Sequence, residues 1–147
     1  MNPPKDFDYY LNKGIIRKCS INKSRADFLI KESETSMRGL NKRLEAMGID
    51  EDNANSIIKD CYDIIMEMIR ANLLLKGYNP SGQFAHEAEV SYLRNLGFSD
   101  NEVSTTNELR YFRNSAAYYG KILEVEYAEK VVEFTKKMFS KLKEIIK

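Results

Sequence analysis

The sequence predicts an all-α protein, an antiparallel bundle of four main helices with one or two short ones. Three observations carry this. Apolar residues recur at steps of three and four along most of the chain, which places them on one side of a helix. Asn, Ser and Gly stand where those stripes begin and end. Sustained apolar–polar alternation bounded by turn residues is not found, so no strands are expected.

A first, short helix is expected over residues 7–18, weakened by Gly14. The second begins at a cap, Asn22 or Ser24, and carries Ala26, Ile30, Ser33, Met37, Leu40, Leu44 and Met47 on one stripe. Gly48 closes it. The third spans about residues 52–76, with Ile57, Ile58, Cys61, Ile64, Ile65, Met68, Asn72 and Leu75 as its stripe. Gly77 ends it, and Asn79-Pro80-Ser81-Gly82 makes a turn. Two long helices joined by a short link form an antiparallel hairpin.

A fourth helix covers about residues 83–95 and stops at Gly97. Ser99 and Glu102 make a capping box for a fifth, which reaches Tyr118 or Tyr119 and stops at Gly120. The sixth runs from about residue 124 to the end, with Tyr127, Val131, Phe134, Met138, Leu142 and Ile145 in a line. There is no repeat and no linker, so residues 1–147 form a single helical domain, with residues 1–20 peripheral.

Composition bounds the function. Hydrophobic residues are 43% and charged residues 31%, which is ordinary for a folded domain. A net charge of +1 gives no global field toward nucleic acid or membrane, so anion binding has to be local. Apolar runs such as Leu73-Leu74-Leu75 are too short to span a bilayer, and no secretory leader is recognisable, so a cytoplasmic protein is expected. Cys19 and Cys61 lack metal-binding spacing and read as reduced core residues. One histidine and two cysteines cannot supply four zinc ligands, and a di-iron site needs two Glu-x-x-His pairs. No metal or cofactor is expected.

The informative segment is Asn107-Glu108-Leu109-Arg110-Tyr111-Phe112-Arg113-Asn114-Ser115-Ala116-Ala117-Tyr118-Tyr119-Gly120-Lys121. At about 100° per residue, Leu109, Phe112, Ala116 and Tyr119 face inward, while Arg110, Arg113, Asn114 and Ala117 share a neighbouring face. Two guanidinium forks, an amide and the nearby Lys121 match phosphate oxygens, and the tyrosines can stack on bases. The plainer reading of the same face is a solvated one, with the arginines paired to Glu108, Glu124 or Glu126.

Arg113-Asn114, a short spacer with aromatic residues, and Gly120, late in an all-helical chain of this length, resemble the signature of the prokaryotic HEPN superfamily. The family pattern is an arginine, often followed by asparagine, then four to six residues and a histidine. The resemblance covers roughly residue 25 to the C-terminus. It is best from Ile57 onward, through the Gly77 break, the short helix near His86, the Arg113 motif and the closing helix. It implies a homodimeric bundle with the motif in a cleft at the subunit interface. Relatives include metal-independent ribonucleases, often toxins of toxin–antitoxin pairs or defence proteins. Others pair with a small nucleotidyltransferase, or bind RNA or nucleotides without cleaving them.

The motif histidine is absent here: Tyr118 and Tyr119 stand at its spacings. A phenol near pKa 10 has to lose a proton before acting as a base, which costs roughly 4 kcal/mol at neutral pH. Arg110, Arg113 and Lys121 favour phenolate and reduce that cost. On a regular helix Arg113 and Tyr118 lie about 140° apart, so they converge only through a helix break or across a dimer. The expectation is therefore an RNA- or nucleotide-binding protein with ribonuclease activity weak or lost. Two alternatives stand beside it: an active ribonuclease using Arg113 with Tyr118, Tyr119 or His86, and a non-catalytic helical interaction module. His86 is expected either to pair with Glu89 or to approach the Arg113 cleft in place of the missing histidine.

Overall fold

The structure is a computed structural model that describes residues 2–119 and 124–146, without the side chains of 114–119. In chain order its elements are α1 (Phe7–Asn12), β1 (Ile16–Lys18), α2 (Lys23–Met47), α3 (Ala54–Leu75), β2 (Tyr78–Pro80), α4 (Ala85–Asn95), α5 (Asp100–Tyr119) and α6 (Val125–Ile146). The fold is an all-α bundle with one small two-stranded sheet.

Helix α3 is the hub. Ile57, Ile58, Cys61, Ile64, Ile65, Met68, Ile69 and Leu73 are buried on several of its sides, as in a helix packed all round. Its neighbours are α2, α4, α5 and α6. Each fully buried isoleucine here contributes about 2 kcal/mol of transfer free energy. Helix α2 runs antiparallel to α3: Asn22 N–H donates to Leu74 C=O, Ser33 Oγ to Ile64 C=O, and Arg43 pairs with Asp60. A second small cluster, Ala26 and Leu29 against Ala71 and Leu74, seals one end of this hairpin. That end borders the cleft described below.

The helix ends follow from local chemistry. Asn22 Oδ1 accepts the Arg25 N–H at 3.0 Å and starts α2, and Gly48, at φ 67°, closes it. Ser99 Oγ accepts the Glu102 N–H, while Glu102 Oε1 accepts the Ser99 N–H, which is the expected capping box of α5.

Several expectations are corrected. Cys19, read as a core residue, is exposed, whereas Cys61 is buried. The strands β1 and β2 exist, pairing Ile16 with Pro80, Arg17 with Asn79 and Lys18 with Tyr78. They therefore truncate the first helix, which ends at Asn12 rather than near residue 18. Residues 1–20 are also not all peripheral: Phe7, Tyr10 and Ile16 belong to the main core. The Phe7 ring packs at 5.1 Å from Tyr78 and 4.8 Å from Tyr92. Buried Tyr10 donates its hydroxyl to Glu87 and accepts the Lys5 N–H, and burial pushes its phenol up to about 12. Among the described residues, no helix is long and apolar enough to cross a membrane.

Candidate functional site

A spacing of three and four residues puts Asp63, Met66, Glu67 and Arg70 along one side of α3, beside Tyr62. This side forms the floor of a cleft of about 420 Å³. Leu29 of α2 completes its apolar wall, His86 of α4 stands on one rim, and Arg113 of α5 closes another. The cleft thus brings together two residues that lie far apart in sequence, the motif arginine and the only histidine of the chain.

Arg113 is half-exposed. Its guanidinium lies 5.9 Å from the centre of the Tyr62 ring, a cation–π contact. Its Nε is 3.3 Å from Asp63 Oδ1, yet the alignment makes no hydrogen bond, and Nε has no partner among the described residues. The pair is therefore an ion pair by distance only, and the Nε itself is a buried atom without a hydrogen bond among the described residues. Burial pushes the Tyr62 phenol upward, helped by the charge of Glu89 and opposed by Arg110 and Arg113, so Tyr62 is a neutral platform rather than a base.

Arg70 and His86 meet at one carboxylate. Glu89 is 1% exposed and accepts from Arg70 Nε at 2.6 Å and from Arg70 Nη2 at 3.1 Å. Its Oε1 is also 3.0 Å from His86 Nδ1. The bidentate arginine compensates the buried charge of Glu89. Although burial works against it, the Glu89 partnership raises the Arg70 pKa above its ordinary value. The His86 side chain is 64% exposed, so only one edge of its ring is engaged by Glu89.

Charge in the cleft is mixed. Arg70 and Arg113 face Asp63, Glu67 and Glu89. Burial raises the Glu67 carboxyl above its ordinary range, and the charges of Glu32 and Asp63 add to this against Arg70. Asp63 and Glu67 also line an adjoining cleft of about 430 Å³ between α2 and α3, with Glu32, Arg43 and Asp60. Anion binding here has to come from directed donors, chiefly Arg113, rather than from a broad positive field.

The expected phosphate face divides. Arg110 does not line the Arg113 cleft: its Nε donates to Asn107 Oδ1 at 2.9 Å, and its Nη2 is 3.6 Å from Glu87. The acidic partners are Asp63 and Glu87, from α3 and α4, rather than the expected Glu108, Glu124 or Glu126. Glu108 instead accepts the Tyr127 hydroxyl. The side chains of Asn114, Tyr118 and Tyr119, and all of Lys121, lie outside the described residues. His86 pairs with Glu89 and also lines the Arg113 cleft. Sequence reasoning missed Tyr62, Asp63, Glu67 and Arg70. Their signal was a line of charges on an otherwise apolar helix.

No protein-family model matches the sequence, and no curated protein does.

Proposed function

We propose that the chain is a HEPN-like RNA- or nucleotide-binding protein of the toxin or defence type, and that the Arg113 cleft receives the phosphate. The observation that carries this reading is the cleft itself. It combines a half-exposed arginine, a neutral aromatic floor and an apolar wall. Guanidinium donors suit a phosphate oxygen, and the apolar wall suits the face of a base or a ribose. With tyrosines at the histidine spacings, the α5 motif supplies binding rather than acid–base chemistry. The functional unit in this reading is a cytoplasmic homodimer, with an antitoxin or a nucleotidyltransferase as a further partner. The exposed Tyr111 beside the motif offers an aromatic contact for such a surface.

Titration of a labelled single-stranded RNA with wild type and Arg113→Ala tests the assignment. Wild type binds, and the variant binds about tenfold or more weakly, the loss of one charge-assisted hydrogen bond. Equal affinities overturn the role of Arg113 and favour the plain interaction module. Sedimentation of the same samples gives twice the chain mass; a monomer at micromolar concentration removes the dimer from the reading.

A further inference from the structure

We infer that one end of the bundle is a second surface for RNA, where a cluster of cations holds the phosphates of a single strand that runs on from the Arg113 cleft. The cations are Lys13 after α1, Arg17 and Lys18 of β1, Lys23 and Arg25 in the first turn of α2, and Lys76 after α3. This rests on the RNA-binding reading above and commits it to a polymer rather than a free nucleotide.

The charge of the chain is near zero only as a sum. Residues 9–26 hold Lys13, Arg17, Lys18, Lys23 and Arg25 and no Asp or Glu, and residues 71–86 hold Lys76 and again no carboxylate. The fold lays these two stretches side by side. Lys18 pairs with Tyr78 in the sheet, Cys19 N–H donates to Gly77 C=O at 2.7 Å, and Asn22 N–H donates to Leu74 C=O at 3.3 Å. Lys76 lies in the chain between those two acceptors, so its charge joins those of β1 and α2. All of residues 17–25 are exposed, and so are Lys13 and Lys76.

These cations are also unspent. Arg43, Arg70, Arg94, Arg110 and Arg113 each stand against a carboxylate, as do Lys136, Lys141 and Lys143. None of the cations at this end makes an ion pair or a side-chain hydrogen bond among the described residues. Like charges held together without carboxylates repel one another, and a polyanion laid across them relieves that repulsion and releases its own counterions. Tyr9 and Phe28 expose rings beside these cations, and basic side chains interleaved with aromatic ones suit the backbone and bases of a single strand.

Helix α2 joins this end to the cleft. Arg25 stands one turn before Leu29 on the same side of the helix, and Leu29 is the apolar wall of the cleft. A strand with one phosphate at Arg113 passes Leu29 and meets Arg25 first, then Lys23 and β1. That continuity selects RNA over an anionic lipid surface, which would meet the cations alone.

The test is fluorescence anisotropy of labelled single-stranded RNA of about 4 and about 16 nucleotides with the full chain, over a series of salt concentrations. The variants are Arg113→Ala and a combined change of Arg17→Ala, Lys18→Ala and Lys23→Ala, all at exposed positions outside the core. The combined variant is expected to bind the longer RNA about tenfold or more weakly and the shorter one within about threefold of wild type. Its plot of log affinity against log salt is expected to be shallower by about 2, since each lost phosphate contact removes about 0.7. Equal affinity of wild type and the combined variant for the longer RNA overturns this inference and leaves the cleft reading standing. Weakening by the combined variant with Arg113→Ala equal to wild type overturns the cleft reading and keeps this end as the RNA surface. A wild type that binds neither RNA overturns both, and binding to phosphatidylserine vesicles that the combined variant loses would then assign this end to a membrane surface.

Discussion

At the scale of the residue, a side chain's role here is set by which helix answers it. Arg110 and Arg113 sit three apart on α5 and share a face in sequence, yet they have separate partners. Arg110 is held by Asn107 and Glu87, and Arg113 by Asp63 and the Tyr62 ring. The energetics of the cleft arginines differ in the same way. The pair of Arg113 with Asp63 is half-exposed on both sides and contributes under about 1 kcal/mol to stability. Arg70 answers a buried carboxylate, and its removal leaves Glu89 uncompensated. Arg70→Ala is expected to destabilise the fold by about 3 kcal/mol, and Arg113→Ala by less than about 1 kcal/mol, in urea unfolding. Equal losses would mean that the two ion pairs are not distinguished by burial. The pairing of His86 with Glu89 was legible because the two lie one helical turn apart. Its place on the Arg113 cleft was not, since that depends on how α4 and α5 both pack on α3.

At the scale of the element, the helices were legible because their ends are written in local chemistry: Asn22 and Gly48 bound α2, and Ser99 with Glu102 opens α5. The strands were not, because three residues are too few to show an alternation. Their pairing is specified instead by tertiary contacts, with Ile16 buried in the core and Phe7 packed on Tyr78. Gly77 shows how tightly that junction is drawn. It has φ 78°, its C=O accepts the Cys19 N–H at 2.7 Å, and an added Cβ would meet the Cys19 carbonyl oxygen at 2.6 Å. Gly77→Ala therefore combines left-handed strain with a backbone clash. The expected loss is about 2 kcal/mol or more in thermal or urea unfolding. A neutral result would mean that the connection from α3 to β2 relaxes freely.

At the scale of the whole molecule, a near-neutral chain places a few charges of both signs in one cleft. Recognition in the cleft rests on directed arginine donors and an aromatic floor, with no large net charge on the chain to draw a polyanion in. In the proposed function, the place of RNA binding is the cleft between α2, α3, α4 and α5. The chain carries a single histidine, and it stands on the rim of that cleft, so its ring signals in a nuclear magnetic resonance spectrum need no further assignment. Titrating a short single-stranded RNA while following those signals locates the binding site. The His86 signals are expected to shift and saturate with the dissociation constant of the complex, and Arg113→Ala to move the whole curve to about tenfold higher RNA concentration. RNA that binds with the His86 signals unmoved would place recognition elsewhere on the protein and contradict the account.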